Sequence, residues 1–209
     1  MNETQLLAAL GTARDESNRG SGRLWTEAVE CLFKKHHRNG RLPVVLGKVE
    51  VLNALYGTQL HFGNTRVKRG RAWRKTDSAE YKFARWVTSN AGRLDSMLDR
   101  GSVKAVRMLE MEHPLRTKTG KVTHLYSFAT KFAHFHNPSA YPIWDSRADA
   151  SVRKFARVRP FKRPLSDLNG DDWYEAWVSD LGEIKAFLGA PNYRELDKAL
   201  YMWNGGKEV

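Results

Sequence analysis

Apolar residues recur at spacings of three and four along most of this chain, and the periodic segments are nearly all helical, so the sequence commits the chain to an α-helical fold. The pattern predicts helices over residues 3–17, 22–37, 47–59, 78–90, 91–99, 101–112, 123–136, 146–157, 170–188 and 192–203. Gly20, Ser21 and Gly22 separate the first two, and Asn39, Gly40 and Pro43 close the second and turn the chain toward the third. No repeat, low-complexity tract or linker divides the 209 residues, which predicts one compact unit. The lone cysteine, Cys31, falls in the apolar pattern of Leu24, Ala28 and Leu32 and is read as a core residue in a reducing compartment.

The formal charge is +12, which points to a polyanionic partner, because cations that neutralise phosphates release condensed counterions. The charge is clustered. Arg66, Lys68, Arg69, Arg71, Arg74 and Lys75 form one group, Arg116, Lys118 and Lys121 a second, and Arg153, Lys154, Arg157, Arg159, Lys162 and Arg163 a third. The first lies in residues 62–75, a basic, glycine-containing stretch without period, read as a long surface loop that contacts nucleic acid. Solubility alone is the competing explanation of such charge. No apolar run approaches the roughly 20 residues of a membrane helix, and the N-terminus has no basic region followed by an apolar stretch, so a cytoplasmic protein without a membrane partner is expected.

One predicted helix carries two different faces. Leu125, Phe128, Phe132 and Phe135 make an apolar stripe, while His124, Ser127, Lys131 and His134 make a second row at the same spacings. Such a polar row is either a solvated face or a set of functional groups. A two-proline loop follows, His136-Asn-Pro-Ser-Ala-Tyr-Pro-Ile-Trp-Asp145, and Asp145 stands immediately before the next helical pattern as its N-cap. Backbone N–H groups and the positive end of the helix dipole would both favour its carboxylate form.

The run Ser127-Phe-Ala-Thr-Lys-Phe-Ala-His-Phe-His136 followed by Tyr141-Pro-Ile-Trp-Asp145 resembles the helix-hairpin-helix DNA glycosylase superfamily, and within it bacterial 8-oxoguanine DNA glycosylase-like proteins. Val51 to Gln59 is similar to that superfamily's early helix, and Tyr193 to Trp203 to the closing helix of the bacterial members. The resemblance implies a mainly α fold of two helical lobes around a cleft, lobe A near residues 1–45 plus 146–209 and lobe B near 46–145. It implies a monomer that acts on double-stranded DNA with an extruded nucleotide, without a cofactor, nucleoid-associated in a bacterium. Lys131 would be the nucleophile and Asp145 the catalytic carboxylate; Tyr56, Gln59, His134 and Trp144 would line the base pocket or fill the gap in the duplex. Arg66, Lys68, Arg69, Arg71, Lys118 and Lys121 would hold the DNA backbone. Where the superfamily's hairpin has two glycines, Thr117 to Lys121 offers one, Gly120.

The residue types suit that chemistry. Cleaving a glycosidic bond builds positive charge on the sugar, which a carboxylate stabilises, and an amine or water then captures the anomeric carbon. A lysine attacks only as the neutral amine, a form that apolar surroundings favour. If Lys131 instead contacts phosphate, water attacks and the strand stays intact. No metal site is expected, since His134 and His136, two apart on one helix, point to different sides and no further ligands stand at recognisable spacing. A DNA-binding protein without catalysis, built on the same fold, is the alternative. An endonuclease ranks third, for want of a carboxylate cluster with two-metal spacing.

Overall fold

The computed structural model describes residues 22–56, 60, 78–116, 120–122, 124–159 and 172–203. Among these the chain is mainly helical, and the single extended pairing is an antiparallel bridge between Arg116 and Val122. The helices are α1 Gly22–Lys35, α2 Leu42–Tyr56, α3 Ala79–Ser89, α4 Ala91–Asp99, α5 Val103–Met111, α6 Tyr126–His136, α7 Ser146–Val158, α8 Trp173–Leu188 and α9 Tyr193–Trp203. The expected helix at 3–17 and the basic stretch at 62–75 lie outside the described residues.

Pro43 does not delay the second of these helices, as the sequence pattern had implied. It sits in the first turn of α2, where a backbone N–H has no intrahelical acceptor to lose and a fixed φ suits the helix. Ser78 caps α3 by accepting the Tyr81 N–H at 3.1 Å, and Gly189 ends α8 at φ 61, a left-handed position that favours glycine. No described helix is long and apolar enough to cross a membrane.

The chain falls into two compact units, residues 29–136 and residues 1–28 with 137–209. The sequence reading set the divisions near 45 and 145. In the 29–136 unit Phe33 at the end of α1 packs on Phe132 and Phe135 of α6, with ring centroids 5.3 and 5.8 Å apart, and this holds the C-terminal half of α1 in that unit. Phe83 of α3 meets Phe128 edge-on at 5.0 Å, and Val45, Val49 and Leu52 of α2 complete the buried centre.

Val29 and Phe33 are the inward positions of α1, so Cys31, two residues from each, faces solvent. That corrects the reading of Cys31 as core. The apolar spacing around it was real, but it marked a face that begins one residue later.

In the other unit, residues 137–145 are fixed from α8. Tyr174 donates its hydroxyl to the Pro142 carbonyl at 2.9 Å, and Trp177 donates its indole N–H to the Ile143 carbonyl at 3.2 Å. Ser151 of α7 reaches the Leu200 carbonyl of α9 at 3.0 Å, joining those two helices.

Candidate functional site

Helix α6 is buried on every side from Phe128 to His136. Its apolar stripe therefore packs as expected, but the second row is not a uniform solvated face. His124 and Ser127 retain exposure, whereas Lys131 is 3% exposed and His134 is fully buried. Burying an ammonium costs several kcal/mol unless polar partners replace its water, so a lysine here requires a reason. Lys131 donates from Nζ to the Ser127 hydroxyl at 2.8 Å, one turn back on the same helix, and its Nζ lies 5.8 Å from the ring centre of Tyr56. Tyr56, the last residue of α2, also packs on Phe135 with centroids 5.6 Å apart. Tyr56 of α2 and Ser127 and Lys131 of α6 thus share one corner of the 29–136 unit.

His134 is set edge-on to Phe135 at 5.4 Å. Ahead of α6 Arg116 and Val122 form an antiparallel bridge, and Gly120 stands at φ 81, a conformation that side-chain-bearing residues rarely adopt. Lys121 is exposed there, and Arg116 directs its guanidinium to the backbone carbonyls of His113 and Leu115 at 2.7 and 3.0 Å. Gln59, Arg66, Lys68, Arg69, Arg71 and Lys118 lie outside the described residues.

Asp145 belongs to the other unit, where it caps α7 as its position before the helix predicts: Oδ1 accepts the N–H groups of Arg147 and Ala148 at 3.1 and 2.9 Å. Trp144 beside it is half-buried and stands edge-on to Trp173, with centroids 5.9 Å apart. The third basic group is partly engaged: Arg153 pairs with Asp149, Lys154 lies over Trp203 and Arg159 over Phe187.

A second polar cluster in the 29–136 unit was not anticipated. His136 Nε2 and His37 Nε2 both bond Asp99 Oδ1, at 2.9 and 2.7 Å, and Arg38 Nη1 bonds Oδ2 at 2.8 Å. These bonds, that of His136 foremost, hold the Asp99 carboxyl well below the usual carboxylate range. Burial pushes His136 below the usual imidazole value, with the Asp99 bond opposing it. Behind the cluster Lys48 is fully buried, with Nζ 2.9 Å from Asn39 Oδ1 and 4.7 Å from the centre of the Phe33 ring. Asn39 in turn gives its backbone N–H and its side-chain amide to the two carboxylate oxygens of Asp95. Burial lowers Lys48 to about 8, against the opposing charge of Asp95. Sequence reasoning dismissed His136 as a ligand for lack of partners. Its partner Asp99 is 37 residues away, and His37 lies a further 62 residues from Asp99, distances over which helical periodicity carries no signal.

The HI_0787_N family, described as an N-terminal domain, matches residues 13–140, a stretch that contains Lys131 and the whole His37, Asp99 and His136 cluster but ends before Asp145. A protein of Haemophilus influenzae named "Uncharacterized protein" is 37% identical over 117 residues, which is 56% of this chain. That alignment covers 52% of the relative, so the chain spans about half the length of the curated protein it matches. No solved structure matches the chain.

Proposed function

The chain belongs to the HI_0787_N family, and we propose that it is a DNA glycosylase that removes a damaged or modified base from duplex DNA, with Lys131 as the amine that captures the sugar. The observation that carries this reading is the burial of Lys131: an amine 3% exposed, held by a hydroxyl, on a helix followed by a proline loop and an aspartate-capped helix. The chemistry asks each group for one thing. Asp145 supplies negative charge as the glycosidic bond breaks and the sugar becomes cationic. The Lys131 amine attacks the anomeric carbon and gives up its protons, the base leaves with the bonding electrons and takes up a proton, opening of the ring-oxygen bond gives an imine, and loss of a C2′ proton then expels the 3′-phosphate and nicks the strand. Ser127, bonded to Nζ, orients the amine and is positioned to take part in its proton exchange. The +12 charge supports duplex DNA as the partner.

The test is an incision assay with the purified full chain on duplexes that each carry one modified base, scored before and after hot alkali. A glycosylase with Lys131 as nucleophile releases base and nicks the strand without alkali; release that needs alkali to reveal it makes water the nucleophile. No base release on any duplex, with DNA binding intact, leaves a binding protein.

Capping and catalysis separate at Asp145. Asparagine caps nearly as well, so Asp145→Asn is expected to cost only about 0.5 kcal/mol of stability while removing the charge that the transition state needs. Melting should be almost unchanged and base excision slower by a factor of about 10²–10³. A variant that excises at the wild-type rate would reduce Asp145 to a cap.

A further inference from the structure

Three helices of the 29–136 unit deliver a side chain to one point from their C-terminal ends. Asp99 is the last residue of α4, His136 the last of α6, and His37 follows the end of α1 by two residues. Their ligand-type atoms all lie within 4.8 Å of one another. We propose that His37, Asp99 and His136 form a binding site for one divalent transition-metal ion of the zinc class, coordinated by the two imidazole Nε2 atoms and by Asp99 Oδ1.

The donor set is the first support. Two imidazoles and one carboxylate suit zinc and its first-row neighbours, and three protein ligands leave a fourth position for water. Placement is the second. A helix C-terminus carries the negative end of its dipole, so three of them and a carboxylate make a point that favours a cation. The arrangement also has an approach path: the side chains of His37 and Asp99 are 44% and 32% exposed, while that of His136 is fully buried and reaches the same oxygen from within.

The change needed for binding is small. A tetrahedral shell with bonds near 2.1 Å spaces its ligand atoms about 3.4 Å apart. The imidazole nitrogens now stand 2.7 and 2.9 Å from Asp99 Oδ1, as donors of hydrogen bonds to it, so each must draw back from that oxygen by about 0.5–0.7 Å. Each ring must also carry its proton on Nδ1, freeing the Nε2 lone pair. At His136 that shift breaks no bond, because its buried Nδ1 has no hydrogen-bond partner among the described residues. His37 has the exposure to turn, and its ring already lies 4.0 Å from that of His136. Arg38, bonded to Asp99 Oδ2 at 2.8 Å, would remain as the outer partner that orients the carboxylate.

The experiment uses the whole chain, stripped with chelator and titrated with Co²⁺ and then Zn²⁺. One Co²⁺ per chain with visible d–d absorption is expected, displaced by one Zn²⁺, with a melting temperature that climbs with free metal. His37→Ala and Asp99→Asn should each weaken Co²⁺ binding at least about tenfold. His37 is partly exposed, so metal-free melting of His37→Ala checks that the fold survives. His124→Ala, which alters the separate His124–Glu110 pair, should bind as wild type does. Absence of stoichiometric Co²⁺ binding overturns the proposal, as does equal binding by His37→Ala. No readout involves DNA, so the result stands apart from the glycosylase reading.

Discussion

Lys131→Gln is expected to lower base excision by about 10³-fold or more while leaving DNA affinity within a few-fold of wild type. Glutamine keeps a polar end that can donate to the Ser127 hydroxyl, so the loss is confined to the nucleophilic amine. Folding should suffer by about 1–2 kcal/mol, the worth of an altered hydrogen bond to Ser127 and a lost cation contact with the Tyr56 ring, because the apolar stem still packs within α6. The comparison therefore has three readings from one protein: excision rate, affinity and melting. Affinity that falls in step with activity would mark Lys131 as a phosphate contact and remove it from the chemistry.

The second large effect concerns stability and the Lys48–Asn39–Asp95 network. Asp95→Ala removes the acceptor of two Asn39 hydrogen bonds and the negative charge opposite a fully buried lysine. Breaking a buried charge network by deleting one partner costs about 3–5 kcal/mol, a large share of the 5–15 kcal/mol that a domain has. Denaturant unfolding should show it directly.

The same network sets a pH dependence. Lys48 titrates near 8 in the folded chain and near 10.5 unfolded, so between those values the unfolded state binds more protons and stability rises with pH. The cost of the buried ammonium is full below pH 8 and disappears toward 10.5, an amplitude of about 3 kcal/mol. Measured as the difference between wild type and Lys48→Met, so that tyrosine ionisation cancels, the destabilisation by the substitution should grow from pH 7 to pH 10. A difference independent of pH would show that Lys48 is not desolvated.

What the sequence made legible was local. Helical periodicity located α3, α4 and α7 to within two residues of their ends, because apolar spacing and caps such as Ser78 and Asp145 act within a turn. Its errors were local too: Pro43 breaks a helix interior but suits a first turn, and Cys31 neighbours the buried face without belonging to it. The row of His124, Ser127, Lys131 and His134 was visible, yet the burial of Lys131 and His134 within it was not, since that depends on what packs over α6. Asp99 carries no signal in the sequence beyond its place at the end of a helical pattern, and only the chain's path brings His37 and His136 to it. Buried polar clusters assembled across such separations are set by tertiary packing, which no window of sequence records.

Borohydride trapping tests the central claim most directly. With the full chain and a cleavable duplex, reduction during turnover converts an imine into a stable secondary amine, and peptide mapping of the adduct names the nitrogen that attacked. The account predicts a covalent protein–DNA adduct on Lys131 that disappears in Lys131→Gln. An adduct that persists in the variant, or that maps to Lys48, Lys121 or the N-terminal amine, would contradict it.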